Sequence, residues 1–221
     1  MDTRPTLEVC RENPLKALAA RILSRIPGVS EAIADAACPH NPQDPQEPPP
    51  ERFEPPSCDY DSSMDVLARI VKTLEDAGVT WKQIRHDPVR TSQEAADVRG
   101  EPLAIGGKAL VVKADETFSL VVISAASRLK SSRLKKTLSA RKLRFATPEE
   151  LADLTGLVPG SVPPFGEPVL PLPVRVDQSI LGQDRIAFNA GSLSESIIMD
   201  RQEWYLVAGE PEIIDVSMSQ E

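Results

Sequence analysis

The stretch GLVPGSVPPFG, residues 156–166, admits neither a helix interior nor a central strand, because three glycines and three prolines sit in eleven residues. Whatever fold the chain adopts must turn here. The stretch is not an ordinary flexible linker either, since Leu157, Val158, Val162 and Phe165 are apolar. Gly156 follows a helical pattern and suits a left-handed cap. Pro159-Gly160 suits a type II turn, with glycine where φ must be positive. Such a turn holds backbone N–H and C=O groups on a rigid frame, where they can read or polarise a ligand without an ionisable side chain. A stiff crossover between a helix and a strand is the simpler reading of these residues alone.

Proline also divides the chain. Eleven of its 21 prolines fall within residues 1–60, including PQDPQEPPPERFEPP at 42–56. That composition favours extended polyproline segments that bury little. Ahead of it, Leu15, Leu18, Ala19, Ile22 and Ile26 recur at helical spacing, with Asn13 as cap and Pro14 at the first helical position. A second short helix is expected near 30–37. Residues 1–60 therefore read as a helical, proline-rich extension, either a partly ordered tail or a docking element for a partner. Residues 61–221 read as the folded domain.

The net charge of -8 does not point to nucleic acid. Against that background, residues 127–144 carry eight Lys or Arg and no acid. Leu129, Leu134, Leu138 and Leu143 can face inward there while the cations face out. Either a solvated helix face or a phosphate-backbone contact fits. Cys10, Cys38 and Cys58 lack metal-ligand spacing and read as free thiols in a reducing compartment, so a cytoplasmic location is expected. No apolar run approaches a membrane span and no secretory leader is evident, so no membrane partner is expected.

From residue 61 the patterning is dense. SSMDVLARIVKTLEDAG predicts a helix capped at Ser62 or Ser63, with Val66, Leu67, Ile70, Val71 and Leu74 on one face and Gly78 as its stop. WKQIRH predicts a strand. TSQEAADVRG and TPEELADLTG are capping boxes closing on Gly100 and Gly156. KALVVKA and TFSLVVIS predict a hairpin around Asp115-Glu116. SSRLKKTLS predicts a helix and KLRFA a strand. VLPLPVRV, RIAFNAG, ESIIMD and EIIDVS predict further strands, and RQEWYLVA a short helix. Pro171 and Pro173 belong on an edge strand or a bend. Strands outnumber helices and several join through short turns, which predicts an α+β domain with a mixed sheet.

Familiar catalytic patterns are missing. There is no Gly-x-Ser-x-Gly, no P-loop and no His-Glu-x-x-His, and residues 61–221 hold no cysteine and one histidine, His86. No metal or cofactor is expected. In GGKALVVK, residues 106–113, two glycines allow close backbone approach. Lys108 then opens an apolar strand, where an unpaired charge is costly. It is either a snorkelling surface residue or an anion or carbonyl contact in a cleft.

TSQEAADVRG, GGKALVVK, KLRFATPEELADLTGLVPGSVPPFG and FNAG, in this order and spacing, resemble the YbaK/prolyl-tRNA synthetase-associated domain family across about residues 62–217. The resemblance implies a barrel-like mixed sheet flanked by helices. It implies a hydrolase that clears mischarged tRNA in trans, of the alanyl- or cysteinyl-tRNA(Pro) type, with prolyl-tRNA synthetase or another translation factor as a further partner. It assigns Lys108 to the essential lysine that holds the substrate end of the tRNA. It assigns Gly156, Pro159 and Gly160, with Ser161 beside them, to the loop lining the aminoacyl pocket. Asn189, Gly191 and Ser192 fall where relatives place polar or histidine side chains near the pocket; here histidine is lacking. His86 is implied as a pocket-edge or structural residue. Arg128, Lys130, Arg133, Lys135, Lys136 and Arg141 become candidate tRNA contacts on a basic helix. Two other readings stay open: a non-catalytic tRNA- or synthetase-binding module docked through residues 1–60, and a DNA-binding or regulatory protein suggested by the basic run.

Overall fold

The structure, a computed structural model, describes residues 64–219. The expected extension at 1–60 and the three cysteines lie outside the described residues.

Helix α1, Val66–Ala77, forms because Val66, Ile70 and Leu74 recur on one face and are buried there. Asp65, not Ser62 or Ser63, caps it, its carboxylate accepting from the Ala68 N–H at 2.7 Å. The helix stops on Gly78 at φ 65°. Strand β1, Trp81–Arg85, follows, then α2, Ser92–Arg99, which opens with the expected Thr91/Glu94 capping box. A single 3₁₀ turn, Leu103–Ile105, leads into the hairpin of β2, Gly107–Ala114, and β3, Thr117–Ser124. Asp115 turns the hairpin at φ 51°.

The basic stretch is not one helix. It contains strand β4, Ser127–Leu129, helix α3, Ser131–Thr137, and strand β5, Leu143–Phe145. The leucines nevertheless face inward as patterned. Leu134 is fully buried, and Leu129, Leu138 and Leu143 pack beside it. Helix α4, Pro148–Thr155, carries the second capping box and ends on Gly156 at φ 72°. The expected strand at 169–176 is shorter. Residues 169–172 form turns and bends, with Pro171 in a bend, and β6 spans only Val174–Asp177. A four-residue helix that the sequence did not reveal, α5, Gln178–Leu181, comes next. Strands β7, Arg185–Asn189, and β8, Glu195–Asp200, precede α6, Arg201–Val207. The last run splits into β9, Glu212–Ile214, and β10, Ser217–Ser219.

The domain is α+β with mixed sheets. The largest runs β5-β2-β3-β6-β9, antiparallel through the hairpin and parallel at β3–β6 and β6–β9. A second sheet is β1-β8-β7 and a third pairs β10 with β4, so these strands do not close into one barrel. Alternation along β2 and β3 sends side chains to both faces. Val111, Leu120 and Val122 join the main core, which also holds Ile70, Leu74, Phe188 and Trp204. Val112, Val121 and Ile123 face the other way, against Leu134 of α3.

Half of the proline–glycine loop belongs to this core. Residues 161–166 are all buried. Phe165 meets Phe188 edge-to-face at 5.4 Å, and Trp204 Nε1 donates to the Pro164 carbonyl at 3.2 Å. The loop is thus anchored by its apolar half, while Val158, Pro159 and Gly160 stay exposed.

Asp177 ties the end of β6 to the final strands. Its carboxylate accepts from the Ser179, Val216 and Ser217 N–H groups at 2.9, 2.7 and 3.0 Å, and from the Ser217 hydroxyl at 2.6 Å. Burial alone would raise its pKa, but these hydrogen bonds outweigh burial and hold it below the usual value. Asp177→Ala strands buried donors and is expected to cost roughly 2–4 kcal/mol in denaturant unfolding. The sign with pH follows from the depressed value. The contribution is complete above the unfolded-state pKa of about 3.9 and is lost as pH falls through the folded one. Stability of the Asp177→Ala protein should therefore fall less steeply with acid than wild type.

Candidate active site

Strand β2 begins where two glycines let other chain segments come close. A Cβ on Gly106 would lie 2.8 Å from the Ala125 Cβ, and one on Gly107 would lie 2.8 Å from Ile186 Cδ1. This packing brings the mouth of β2 against β7, with Gly106 bridged to Ala187. Lys108, the next residue, is left at the rim of a cleft of about 100 Å³. One side of the cleft is the segment Val89–Ser92 with Ala95 and Arg99 of α2. Another is Gly106–Ala109 with Ala125, and a third is Gly160, Val162 and Asn189.

Lys108 is half-buried, and its Nζ donates to the Ser127 carbonyl at 3.2 Å. No carboxylate among the described residues pairs with it. Desolvation lowers its pKa, and repulsion from Arg128 lowers it further. An ammonium kept in that setting favours a ligand that brings acceptor oxygens.

The turn over the cleft is the one its sequence demands. The Ser161 N–H donates to the Val158 carbonyl at 3.1 Å, and Gly160 sits at φ 91°. The Ser161 hydroxyl donates to the same carbonyl at 2.8 Å and accepts from the Val158 N–H at 3.2 Å. Asn189 Nδ2 donates to the Gly160 carbonyl at 2.7 Å. The Gly160 N–H has no hydrogen-bond partner among the described residues.

Lys108, Gly160 and Asn189 therefore share one cleft. Gly156, Pro159, Ser161 and Gly191 do not line it. Ser161 is buried behind the turn, and Gly191, at φ 82°, packs against α1, where a Cβ would meet the Val66 Cβ at 2.9 Å. Its N–H donates to the Ser161 carbonyl at 3.0 Å, supporting the turn from behind. Ser192 hydrogen-bonds locally with Ser194. His86 also lies off the lining; its Nε2 is 2.7 Å from the Ser196 hydroxyl and its Nδ1 is 2.8 Å from the Asp87 carbonyl.

Arg99 was not singled out by the sequence. It lines the cleft, and its Nε donates to the Ser196 hydroxyl at 2.9 Å and its Nη2 to Asn189 Oδ1 at 2.5 Å. Desolvation lowers the guanidinium to about 10, which leaves it charged at neutral pH. The lining contains no carboxylate, imidazole or thiol. It is a cation-bearing cleft with no strong nucleophile, suited to polarising a carbonyl and admitting water.

Of the cations in 127–144, Arg128, Lys135, Lys136, Arg141 and Lys142 are exposed and Lys130 is half-buried. Two are occupied within the fold. Arg133 pairs with Asp215 at 3.1 Å. Arg144 forks onto Glu150 at 2.6 Å on both oxygens, which holds that carboxyl down to about 2.

The model of the aminoacyl-tRNA editing domain family matches residues 86–205, which includes Lys108, the proline–glycine turn and Asn189. The chain belongs to that family. Among the editing domains most similar to it is the Multifunctional Ser/Thr-tRNA deacylase ProXp-y of Escherichia coli, 31% identical over 154 residues, covering 66% of this chain and 90% of the relative. The Prolyl-tRNA editing protein ProX of Acetoanaerobium sticklandii is 23% identical over 145 residues, covering 63% and 88%. A solved structure described as a candidate trans-editing enzyme for prolyl tRNA synthetase superposes with a TM-score of 0.60 at 26% identity, covering 70% of this chain and 98% of the other. Both editing relatives and the structure are thus spanned almost end to end. No helix among the described residues is long and apolar enough to cross a membrane.

Proposed function

We propose that this editing domain is an aminoacyl-tRNA deacylase that acts in trans, releasing a small, wrongly attached amino acid from the 3′ end of tRNA. The observation that carries this reading is the meeting of Lys108, the Gly160 turn and Asn189 in one acid-free cleft of a chain in the aminoacyl-tRNA editing family.

An aminoacyl ester is already activated, so the site needs to position rather than to supply a nucleophile. The Lys108 ammonium holds the terminal phosphate or ribose oxygens. The unpartnered Gly160 N–H is available to the ester oxygen as negative charge gathers on it. Water adds to the acyl carbon and the carbon–oxygen bond to the ribose breaks. The proton lost by the water passes through the neighbouring ribose hydroxyl to the departing oxygen. Free amino acid and uncharged tRNA result, with no covalent enzyme intermediate.

Discrimination by size explains why such a site is useful. A synthetase pocket rejects a smaller or isosteric side chain poorly, and a second small site corrects the error. Alanine or cysteine on proline tRNA fits the family resemblance. The similarity to a relative named for Ser/Thr-tRNA, and the Thr91 and Ser92 lining of the cleft, support serine and threonine as further candidates. The exposed cations Arg128, Lys135, Lys136 and Arg141 supply a face for the acceptor arm. Prolyl-tRNA synthetase is a fitting source of the mischarged substrate.

The test is a panel of tRNAs charged with alanine, cysteine, serine, threonine or proline, with ester loss followed against buffer. Hydrolysis of one or more of the small esters, with prolyl-tRNA spared, is expected. Equal background rates for all five would reject the reading.

A further inference from the structure

We infer that Arg99 is a positioning residue of this site, acting through Asn189 to fix the Gly160 turn; this rests on the deacylase reading for its kinetic consequences.

The reasoning turns on the amide of Asn189. A side-chain amide can present either its oxygen or its NH₂ in a given direction, and the neighbours decide which. Here Oδ1 receives the Arg99 Nη2 at 2.5 Å and lies 3.2 Å from the Ser196 hydroxyl. With the oxygen held by a cation, Nδ2 must point the other way, where it donates to the Gly160 carbonyl at 2.7 Å. Flipping the amide would set oxygen against the Gly160 carbonyl and NH₂ against a guanidinium. Both contacts are repulsive. Through Asn189, Arg99 thereby steadies the Gly160–Ser161 peptide, whose carbonyl Asn189 holds and whose N–H closes the turn onto Val158, and so the turn that carries the preceding Gly160 N–H.

The geometry requires a guanidinium. Nε and Nη2 donate in different directions, to Ser196 and to Asn189, from one rigid plane. A lysine ammonium keeps the charge but cannot reproduce that fork. Arg99 also has no carboxylate partner among the described residues, so the fold carries a desolvated cation whose recorded bonds all go to neutral groups. It sits at the C-terminal end of α2, where the macrodipole favours a cation. The helix end therefore helps place a charge that the cleft then uses for alignment.

Three variants separate alignment from simple charge. Arg99→Lys is expected to lower kcat by about 10- to 100-fold with KM within about twofold, as a misaligned peptide dipole would. Asn189→Ala should do the same. The double variant should be little worse than either single one, because both changes break one chain of contacts. Normal kcat in Arg99→Lys, or fully multiplicative losses in the double variant, would overturn the inference. Hydrogen exchange supplies a readout independent of turnover. Peptides covering 156–166 should exchange faster in Arg99→Lys and in Asn189→Ala, with β2 and β3 still protected. Unchanged exchange in that loop would overturn the relay even if no ester in the panel is cleaved. Faster loop exchange with no wild-type cleavage would retain the relay and reject the deacylase reading alone.

Discussion

Lys108→Ala is expected to lower single-turnover deacylation by at least about 100-fold, the scale set by losing the cation that positions the ribose or phosphate oxygens of the substrate. The same change should leave thermal stability unchanged or raise it. Lys108 is half-buried, its pKa is pushed down by desolvation and by Arg128, and its one recorded hydrogen bond goes to the Ser127 carbonyl. A cation in that position is a liability to the folded state, not a support. Loss of activity together with loss of folding would argue for a structural lysine. Retained activity would remove the lysine from the chemistry altogether. Lys108→Met keeps the apolar stem and serves as a second variant if alanine leaves a cavity.

Gly160→Val is expected to be nearly as damaging, for a different reason. Gly160 occupies φ 91°, a region valine avoids, and a Cβ would lie 3.3 Å from Leu193 Cδ2. Relieving that strain must rotate the peptide that lines the cleft. A misplacement of about 1 Å is enough to cost about 100-fold in kcat/KM. Stability should fall by only about 1–3 kcal/mol, because residues 161–166 keep the rest of the loop anchored in the core. Gly209→Val is the control. Gly209 has a similar φ of 83° and open space around it, and lies after α6, off the cleft lining. It should pay the backbone strain without losing turnover. Equal activity losses in both variants would show that general destabilisation, not the turn, is being read.

Much of this was legible in the residues. Both capping boxes form, because each helix start offers Thr and Glu at the spacing that satisfies its own terminal N–H groups. The β2–β3 hairpin forms around the two residues that interrupt its β-branched runs. These are local decisions, made within a few residues. The misreadings were tertiary. Residues 127–129 open a run with helical leucine spacing, yet β4 is recruited by pairing with β10, a partner far off in sequence, while the strand expected at KLRFA forms as β5. Residues 169–173 have strand-like composition, but Pro171 and Pro173 remove the donors a longer β6 would need.

The site divides the same way. Lys108 stood out because an amine opening an apolar strand needs a reason, and Gly160 because only its turn type explains it. Arg99 carried no such mark. An arginine closing a helix before glycine reads as a surface complement to the helix dipole. Only the folding of α2 next to β7 and β8 brings its half-buried guanidinium onto Asn189 and Ser196. The loop itself was half understood. Its exposed turn does border the cleft, while Val162 and Phe165 close the core beneath it.

The most direct measurement is a structure of the protein with a stable analogue of the 3′ terminus, in which an amide replaces the ester between alanine and adenosine. The acyl group should lie in the cleft, its carbonyl oxygen within hydrogen-bond reach of the Gly160 N–H and the Lys108 ammonium against the ribose or phosphate oxygens. An analogue seated on the basic face of α3, with the cleft between Lys108 and Gly160 vacant at saturating ligand, would contradict the account.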